Sequence, residues 1–323
     1  MTRYLLVRLY SMALTLLGLT VLIFLMLRLI PGTVVEQMIG ADAVVTPAMV
    51  AELRRFFGLD QPWYVQYFIY LKNIFFHFDF GESFPRHTSA FNVLRDGMLN
   101  TLMLAIAAAM VTWGLAIPLG VWAAVRQYSW VDKGLSLVAF FWLSIPEVLS
   151  GLLLLFLAAN TGLFPVGGMR SIDWEYMDAL DKTWDFLRHL ALPALVVGLI
   201  PLAARMRQMR GNLLDVLRLD YVTTARAKGL DEKTVVFKHA VRNAINPLIT
   251  LFGLTIGALL SGAFVAEIIF SWPGLGRITL DAIGTQDQYV VLGAVMIAST
   301  MLVFGNLIAD ILLAIADPRI AYD

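Results

Sequence analysis

The chain has 323 residues, of which 59% are apolar and only 15% are Asp, Glu, Lys or Arg, and it has no cysteine. A soluble domain averages about 45–50% apolar and about 25% charged residues, so an ordinary soluble fold and a disordered chain are both excluded, as are a disulfide framework, a thiolate metal site and a cysteine nucleophile. The 24 basic residues equal the 24 acidic ones, which leaves no net positive field for nucleic acid.

A helix needs roughly 20 apolar residues to cross the hydrocarbon core of a bilayer. Six stretches meet that need. The first, residues 9–30, is broken only by Arg28. It is too long for the apolar part of a cleavable signal, and Pro31-Gly32 is not a small-residue cleavage site. Residues 31–98 then form a long external connection, of a length that usually carries structure or function. Thr46 can cap a helix with Pro47 in its first turn and Gly58 at its end; Val50, Leu53 and Phe57 line one of its faces. A second external helix is expected from Asp60-Gln61-Pro62. Residues 63–80 hold nine aromatics in eighteen positions, which suits an interfacial helix or a docking surface for an external partner. The remaining spans are expected at residues 99–125, 135–159, 190–202 (a weak one), 247–270 and 290–316.

Lys and Arg set the orientation. Nine basic residues between Arg205 and Arg242 face four acids, so this segment is expected in the cytoplasm. Six spans then put both termini inside, in keeping with Arg3, Arg8 and Arg319. The loop with Arg126 and Lys133 is also inside. Residues 160–188 fall outside, with three basic and five acidic residues.

Several chemistries are missing. No Gly-Lys dipeptide occurs, so there is no Walker A phosphate loop. H-E-x-x-H and G-x-S-x-G are also absent. His77, His87, His189 and His239 have no ligand spacing. The chain is expected to be neither an enzyme nor a nucleotide or metal binder; energy must come from another subunit or from an ion.

Within the spans, Gly253, Gly257 and Ser261 form a small-xxx-small face suited to close helix packing. Charged groups in lipid are costly and usually functional. Glu147 is therefore a candidate for the substrate path, and so is Pro146 before it, which frees a backbone carbonyl that lipid cannot satisfy. Glu267 is a weaker one that could instead reach the interface, and Asp310 could lie near the cytoplasmic end of the last span.

The cytoplasmic loop, residues 220–247, reads DYVTTARAKGLDEKTVVFKHAVRNAINP. Asp220 can cap a two-turn helix that Gly229 ends, and Asp231 can cap a second one. Ala225, Ala227 and Gly229 are small enough for a partner backbone to approach; Arg226 and Lys228 supply charge.

The order of Tyr221, Thr224, Ala225, Arg226, Ala227, Lys228, Gly229 and Leu230, followed by His239, Arg242, Asn243 and Ala244, resembles the coupling loop of permease subunits in binding-protein-dependent ABC importers. It is closest to the peptide/nickel branch. Leu29-Ile30-Pro31-Gly32, Gly58-Leu59-Asp60-Gln61-Pro62, Asp79-Phe80-Gly81, Ser144-Ile145-Pro146, Phe270 through Arg277 and Asp317-Pro318-Arg319-Ile320 extend the resemblance to the whole chain. One departure is Thr223-Thr224-Ala225, where the wider family has Glu-Ala-Ala.

The resemblance implies an all-α integral membrane protein with six transmembrane helices and the type I ABC importer permease fold. Residues 1–98 would hold the first helix and a helical external segment; residues 99–323 would hold a five-helix core with a coupling loop at 211–246. It implies a second homologous permease, two cytoplasmic ATPase subunits that use ATP and Mg, and an extracytoplasmic substrate-binding protein, all at the cytoplasmic membrane of a prokaryote. No cofactor is expected in this chain. Di- or oligopeptides are the expected cargo, with a nickel or other metal chelate as the alternative. An ion-coupled secondary transporter would require inverted repeats, and a membrane scaffold would need neither Glu147 nor the loop.

Overall fold

Lipid offers a backbone no hydrogen-bond partners, so apolar runs of this length fold as helices. The computed structural model describes residues 2–29, 46–56, 60–249, 251–252 and 263–316. Gly58, Gly253, Gly257 and Ser261 lie outside the described residues. The elements in order are α1 (Thr2–Leu29), α2 (Pro47–Phe56), α3 (Trp63–His77), a small hairpin of β1 (Glu82–Ser83) and β2 (Thr88–Ser89), α4 (Ala90–Val125), α5 (Trp130–Ser144), α6 (Glu147–Thr161), a 3₁₀ turn (Ile172–Tyr176), α7 (Ala179–Leu217) and α8 (Asp220–Ala227). A helical stretch α9 follows, made of Glu232–Thr234, a π-wound centre Val235–Val241, and Arg242–Ala244. The chain ends in α10 (Phe264–Ile269), α11 (Leu275–Gly284) and α12 (Gln288–Ala316).

Among the described residues, α1, α4, α7 and α12 are each long and apolar enough to cross a membrane. The stretch expected as a single third span is instead the bent pair α5–α6, whose axes meet at 111°. Ile145 and Pro146 are extended there, with ψ of 128° and 144°. Proline cannot donate to the helix ladder and drives the residue before it out of helical conformation. The weak fourth stretch is the middle of the longest helix, 39 residues, because its polar ends are helical too. The division expected after residue 98 falls inside α4. The fifth stretch is described only at its ends, of which α10 is the outer one.

The bundle is built on α4 and α7. Leu104, Ala105, Ala107 and Ala108 of α4 meet Leu190, Leu192, Ala194, Val196 and Val197 of α7 in the largest buried cluster. Small residues bring the two backbones close, as membrane helix packing favours. A Cβ on Gly198 would sit 3.0 Å from the Ala108 carbonyl oxygen, and one on Gly120 would sit 2.7 Å from that of Met206. Thr112 Oγ1 donates to the Gly198 carbonyl at 3.0 Å, three residues before the helix-interior Pro201.

At one end of the bundle, α11 and the starts of α4 and α12 share Ala90, Leu94, Leu275, Ala282, Val290 and Ala294. Asp79 accepts from the Gly81 N–H at 2.8 Å. Gly81 stands at φ +97°, with the Tyr289 ring 2.3 Å from where a Cβ would be; only glycine fits that backbone beside that ring. Ser83 Oγ donates to the buried Asp287 carboxylate, which also caps α12 through the Val290 N–H at 3.2 Å. Here the aromatic α3 packs on α1 and α12: Tyr67 and Thr20 share a 3.0 Å hydrogen bond, and Ile23, Ile74, Leu292 and Met296 are buried together.

At the other end, Trp113, Val121 and Ala124 of α4 and Met209 and Leu213 of α7 cover α8 and α9. Arg8, near the start of α1, pairs with Asp310, late in α12, at 3.2 Å. The beginning of α1 and the later part of α12 thus share the end that carries α8 and α9. Asp310 is an ion-pair partner there.

Candidate functional site: a two-helix hairpin and a broken span

α8 begins one residue earlier than its sequence suggests. Leu219 is the N-cap and offers no side-chain bond, while Asp220 lies in the first turn. Asp220 is therefore not the cap, although its charge still favours the positive end of the helix. Its carbonyl receives the Thr223 and Thr224 hydroxyls at 2.9 and 2.8 Å. The Thr-Thr pair that replaces Glu-Ala thus bonds its own helix. Gly229, at φ +76° with open space where a Cβ would stand, ends the turn and donates to the Arg226 carbonyl at 2.9 Å. Asp231 caps α9 by accepting from the Lys233 N–H at 3.2 Å.

Three contacts fix α8 on α9. Arg226 makes a two-pronged pair with Glu232, Nη2 to Oε1 at 2.7 Å and Nε to Oε2 at 3.1 Å. That guanidinium holds the Glu232 carboxyl below the usual carboxylate range. Asn243 donates to the Tyr221 hydroxyl at 2.8 Å and to the His239 carbonyl at 3.1 Å. Val222 and Ala225 are buried against Val235, Val236 and Ala240. Ala225 is 7% exposed: its small size lets α8 settle on the chain's own core and leaves no face for a partner. Tyr221, Thr224, Arg226, Ala227, Lys228, Gly229 and Leu230 are exposed. Asn212 of α7 donates to the Ala244 carbonyl at 3.2 Å, tying the hairpin to α7.

The second feature is the α5–α6 break. Pro146 is the N-cap of α6, and Glu147 is its first residue. The Pro146 carbonyl accepts from the Ser150 N–H at 3.0 Å. Glu147 is half-buried, and its Oε1 is buried with no hydrogen-bond partner among the described residues. An unpaired buried carboxylate oxygen is costly, which makes this the one predicted path residue with unused bonding capacity.

Glu267 is different. It is 0% exposed, and the bonds it makes hold the α11 end of the bundle together. Its Oε1 accepts from Thr101 Oγ1 at 2.5 Å and its Oε2 from the Gly276 N–H at 2.6 Å. Thr101 in turn accepts from the Leu275 N–H at 2.8 Å. Glu267 thus caps α11, whose own N-cap, Gly274, offers no side chain. A Cβ on Gly274 would lie 2.2 Å from the Glu267 carboxyl, so the spacing of Gly274 and Gly276 serves this cap. Trp272 is fully buried and donates to the Asn100 carbonyl at 3.0 Å, while Asn100 Nδ2 donates to the Pro273 carbonyl at 2.8 Å. The sequence offered Glu267 either as a weaker candidate for the substrate path or as a group reaching the interface; in the structure it caps a helix, and one side of it borders a cavity of about 230 Å³ between α4, α10, α11 and α12.

On the hairpin side of the break, Asp132 accepts from Arg210 at 2.6 and 2.7 Å and from the Tyr128 N–H at 2.9 Å. This buried pair joins the start of α5 to α7. Beside it a cavity of about 520 Å³ opens between the two helices. No motif in the sequence pointed to it, since its residues are brought together only when α5 folds back on α7.

Comparison with known proteins agrees with the motifs. The family described as "Binding-protein-dependent transport system inner membrane component" matches residues 116–322, and a companion family for the N-terminal part of such components matches residues 1–105. The chain is 40% identical over 309 residues to an "Oligopeptide transport system permease protein" of Bacillus subtilis, covering 95% of each. It is 39% identical over 322 residues to a "Di/tripeptide transport system permease protein" of Pseudomonas aeruginosa, covering 95% of each. A "Dipeptide transport system permease protein" of Escherichia coli is 36% identical, with 100% of this chain and 99% of the relative covered.

Proposed function

From the chain's membership of the binding-protein-dependent transport system inner membrane component family, we propose that it is one of two permease subunits of an ATP-driven importer of di- and oligopeptides. The peptide cargo rests on what its relatives transport. The permease lies in the cytoplasmic membrane of a prokaryote with both termini inside. A second permease stands beside it, two ATPases lie beneath, and a binding protein delivers cargo from outside.

One observation carries the coupling role: a short helix with an exposed outer face is pinned on its inner face to both main helices of the bundle. The outer face of α8 enters a groove on an ATPase. Closure of the ATPase pair moves α8, and α9, α7 and α4 follow. Driving such a switch from 1:99 to 99:1 takes about 5.5 kcal/mol of differential binding, so the joint has to be stiff; the Arg226–Glu232 fork, the Asn243–Tyr221 bond and the Val222–Ala225 packing make it so. Glu147, at the break, faces the substrate path.

The test is Ala227→Trp in the assembled complex. Ala227 is exposed, so the bulky side chain spares the permease fold and obstructs the ATPase groove. Loss of ATP hydrolysis stimulated by loaded binding protein is the expected result. Stimulation equal to that of the unmodified complex would refute the coupling role of α8.

A further inference from the structure

The side chains of α3 sort into three stripes at 3.6 residues per turn. Tyr67, Tyr70 and Ile74 form the inner one. The two tyrosine rings pack on Phe24 of α1 with centroids 5.3 and 5.8 Å away, and Ile74 is buried with Ile23 of α1 and with Leu292 and Met296 of α12. Gln66, Asn73 and His77 make a polar flank. Tyr64, Phe68, Leu71 and Phe75, spaced four, three and four apart, make the opposite flank, which is apolar. Phe68 is 66% exposed and Phe75 53%. A bare apolar strip of this kind marks a contact with a partner, a ligand or a membrane.

The level of α3 in the bundle decides which. Arg8 and Asp310 pair at the end that carries the α8–α9 hairpin. Arg28, the next charge along α1, stands 20 residues beyond Arg8, and Gln288, where α12 begins, stands 22 residues before Asp310. At 1.5 Å per residue these runs measure about 30 and 33 Å, close to the thickness of the hydrocarbon core. Arg28 and Gln288 therefore mark its other edge. α3 meets both helices inside that edge. Thr20 and Phe24 lie eight and four residues short of Arg28, and Leu292 and Met296 lie four and eight residues past Gln288. Each helix puts the contact about 6–12 Å below the edge. Tyr67 through Ile74 meet α1 only between Thr20 and Phe24, so α3 crosses α1 instead of running along it.

We propose that α3 is a membrane anchor lying in the plane of the bilayer, in the leaflet away from the α8–α9 hairpin. Tyr64, Phe68, Leu71 and Phe75 rest against acyl chains, and Gln66, Asn73 and His77 face the headgroups. Amphipathic helices settle about 5–10 Å into that boundary, which matches the level of the contacts, and aromatic rings favour it. Val21, Leu22, Leu25 and Met26 of α1 are exposed at the same level, so the apolar surface continues from one helix to the other. Lys72 is the only Lys or Arg of α3 and is exposed; its long stem lifts the ammonium to the headgroups while the methylenes stay below. A flank sunk in lipid is closed to a docking protein, and α3 holds α1 and α12 at a fixed height in the leaflet.

The chain contains no cysteine, so one introduced thiol can carry one spin label in a complex assembled with cysteine-free partners in liposomes. Phe68→Cys and Phe75→Cys are labelled, both at exposed positions, with Glu175→Cys in the exposed 3₁₀ turn as the aqueous reference. Collisions with molecular oxygen, which concentrates in lipid, are compared with collisions with a nickel chelate, which stays in water. The oxygen-to-chelate ratio at positions 68 and 75 is expected to be several-fold above that at 175, with and without loaded binding protein. A ratio equal to that at 175 overturns the proposal by leaving the strip in water. Chelate access that disappears only when loaded binding protein is added overturns it in favour of a docking site. Low access to both reagents overturns it in favour of contact with another permease subunit.

Discussion

Replacing Glu267 by alanine should loosen the α11 end of the bundle without touching the α8–α9 hairpin. The carboxylate is the acceptor for the Gly276 N–H group and the Thr101 hydroxyl, both at a residue with no solvent exposure. Leaving a buried donor unpaired costs about 1–3 kcal/mol, so the two donors together give about 2–6 kcal/mol. Water entering the neighbouring cavity of about 230 Å³ would bring the loss toward the lower figure. Glu267→Gln keeps the shape but turns one acceptor into a donor; losing one such bond should cost about 1–2 kcal/mol. Glu147→Gln is the control, because the buried Glu147 Oε1 has no hydrogen bond to lose. The assay is denaturant unfolding of the purified complex in detergent, followed by tryptophan fluorescence. The expected order of stability is Glu147→Gln equal to or above the unmodified protein, then Glu267→Gln, then Glu267→Ala. Unaltered stability in Glu267→Ala, or a loss in Glu147→Gln as large as in Glu267→Gln, would refute the distinction between the two carboxylates.

Two more predictions follow from the geometry. Asp132→Asn leaves Arg210 without its anion; breaking a fully buried pair from one side costs about 3–5 kcal/mol, and because the Arg210 side chain is 25% exposed the loss should fall below that range, with replacement of both residues by apolar ones of similar size recovering most of it in the same unfolding assay. The Arg226–Glu232 fork holds the Glu232 carboxyl below its ordinary range, so its contribution is present above the unfolded value and is lost as pH falls through the lower folded one. Both side chains are substantially exposed, so the pair is worth at most about 1 kcal/mol. The protection factors of the α8 amides, which correct for the slower intrinsic exchange in acid, should fall as pH is lowered through that window, and Glu232→Gln should abolish that fall.

How far the sequence revealed the molecule depended on how local each cause was. Gly229 and Asp231 acted as read, because a left-handed turn and a side-chain cap depend on a few neighbouring residues. Asp220 looked like an equally good cap, but the helix opens at Leu219, and a one-residue shift is beyond what composition can resolve. Ala225 and Ala227 were indistinguishable as small residues until packing turned one inward and left the other outside. Pro146 marked an irregularity, but the sequence could not tell a kink from a 111° fold. The two carboxylates showed the limit most clearly: Glu267 is satisfied by Thr101, 166 residues away in the chain, and nothing beside it in the sequence announces that. The pattern of Trp272 through Gly276 was legible only as a resemblance, until the cap and the Asn100 bonds supplied its physical reason.

α7 has a consequence for how the two sides of the membrane communicate. At 39 residues and 1.5 Å each it measures about 58 Å, nearly twice the roughly 30 Å hydrocarbon thickness. One end holds the hairpin through Asn212; the other holds the segment before the 3₁₀ turn through Asp185, which accepts from the Ser171 N–H at 2.8 Å. The α5–α6 pair is jointed between those ends, whereas α7 runs between them as one helix, through Pro193 and Pro201. A displacement at the hairpin is therefore carried along one continuous rod to the loop at its far end.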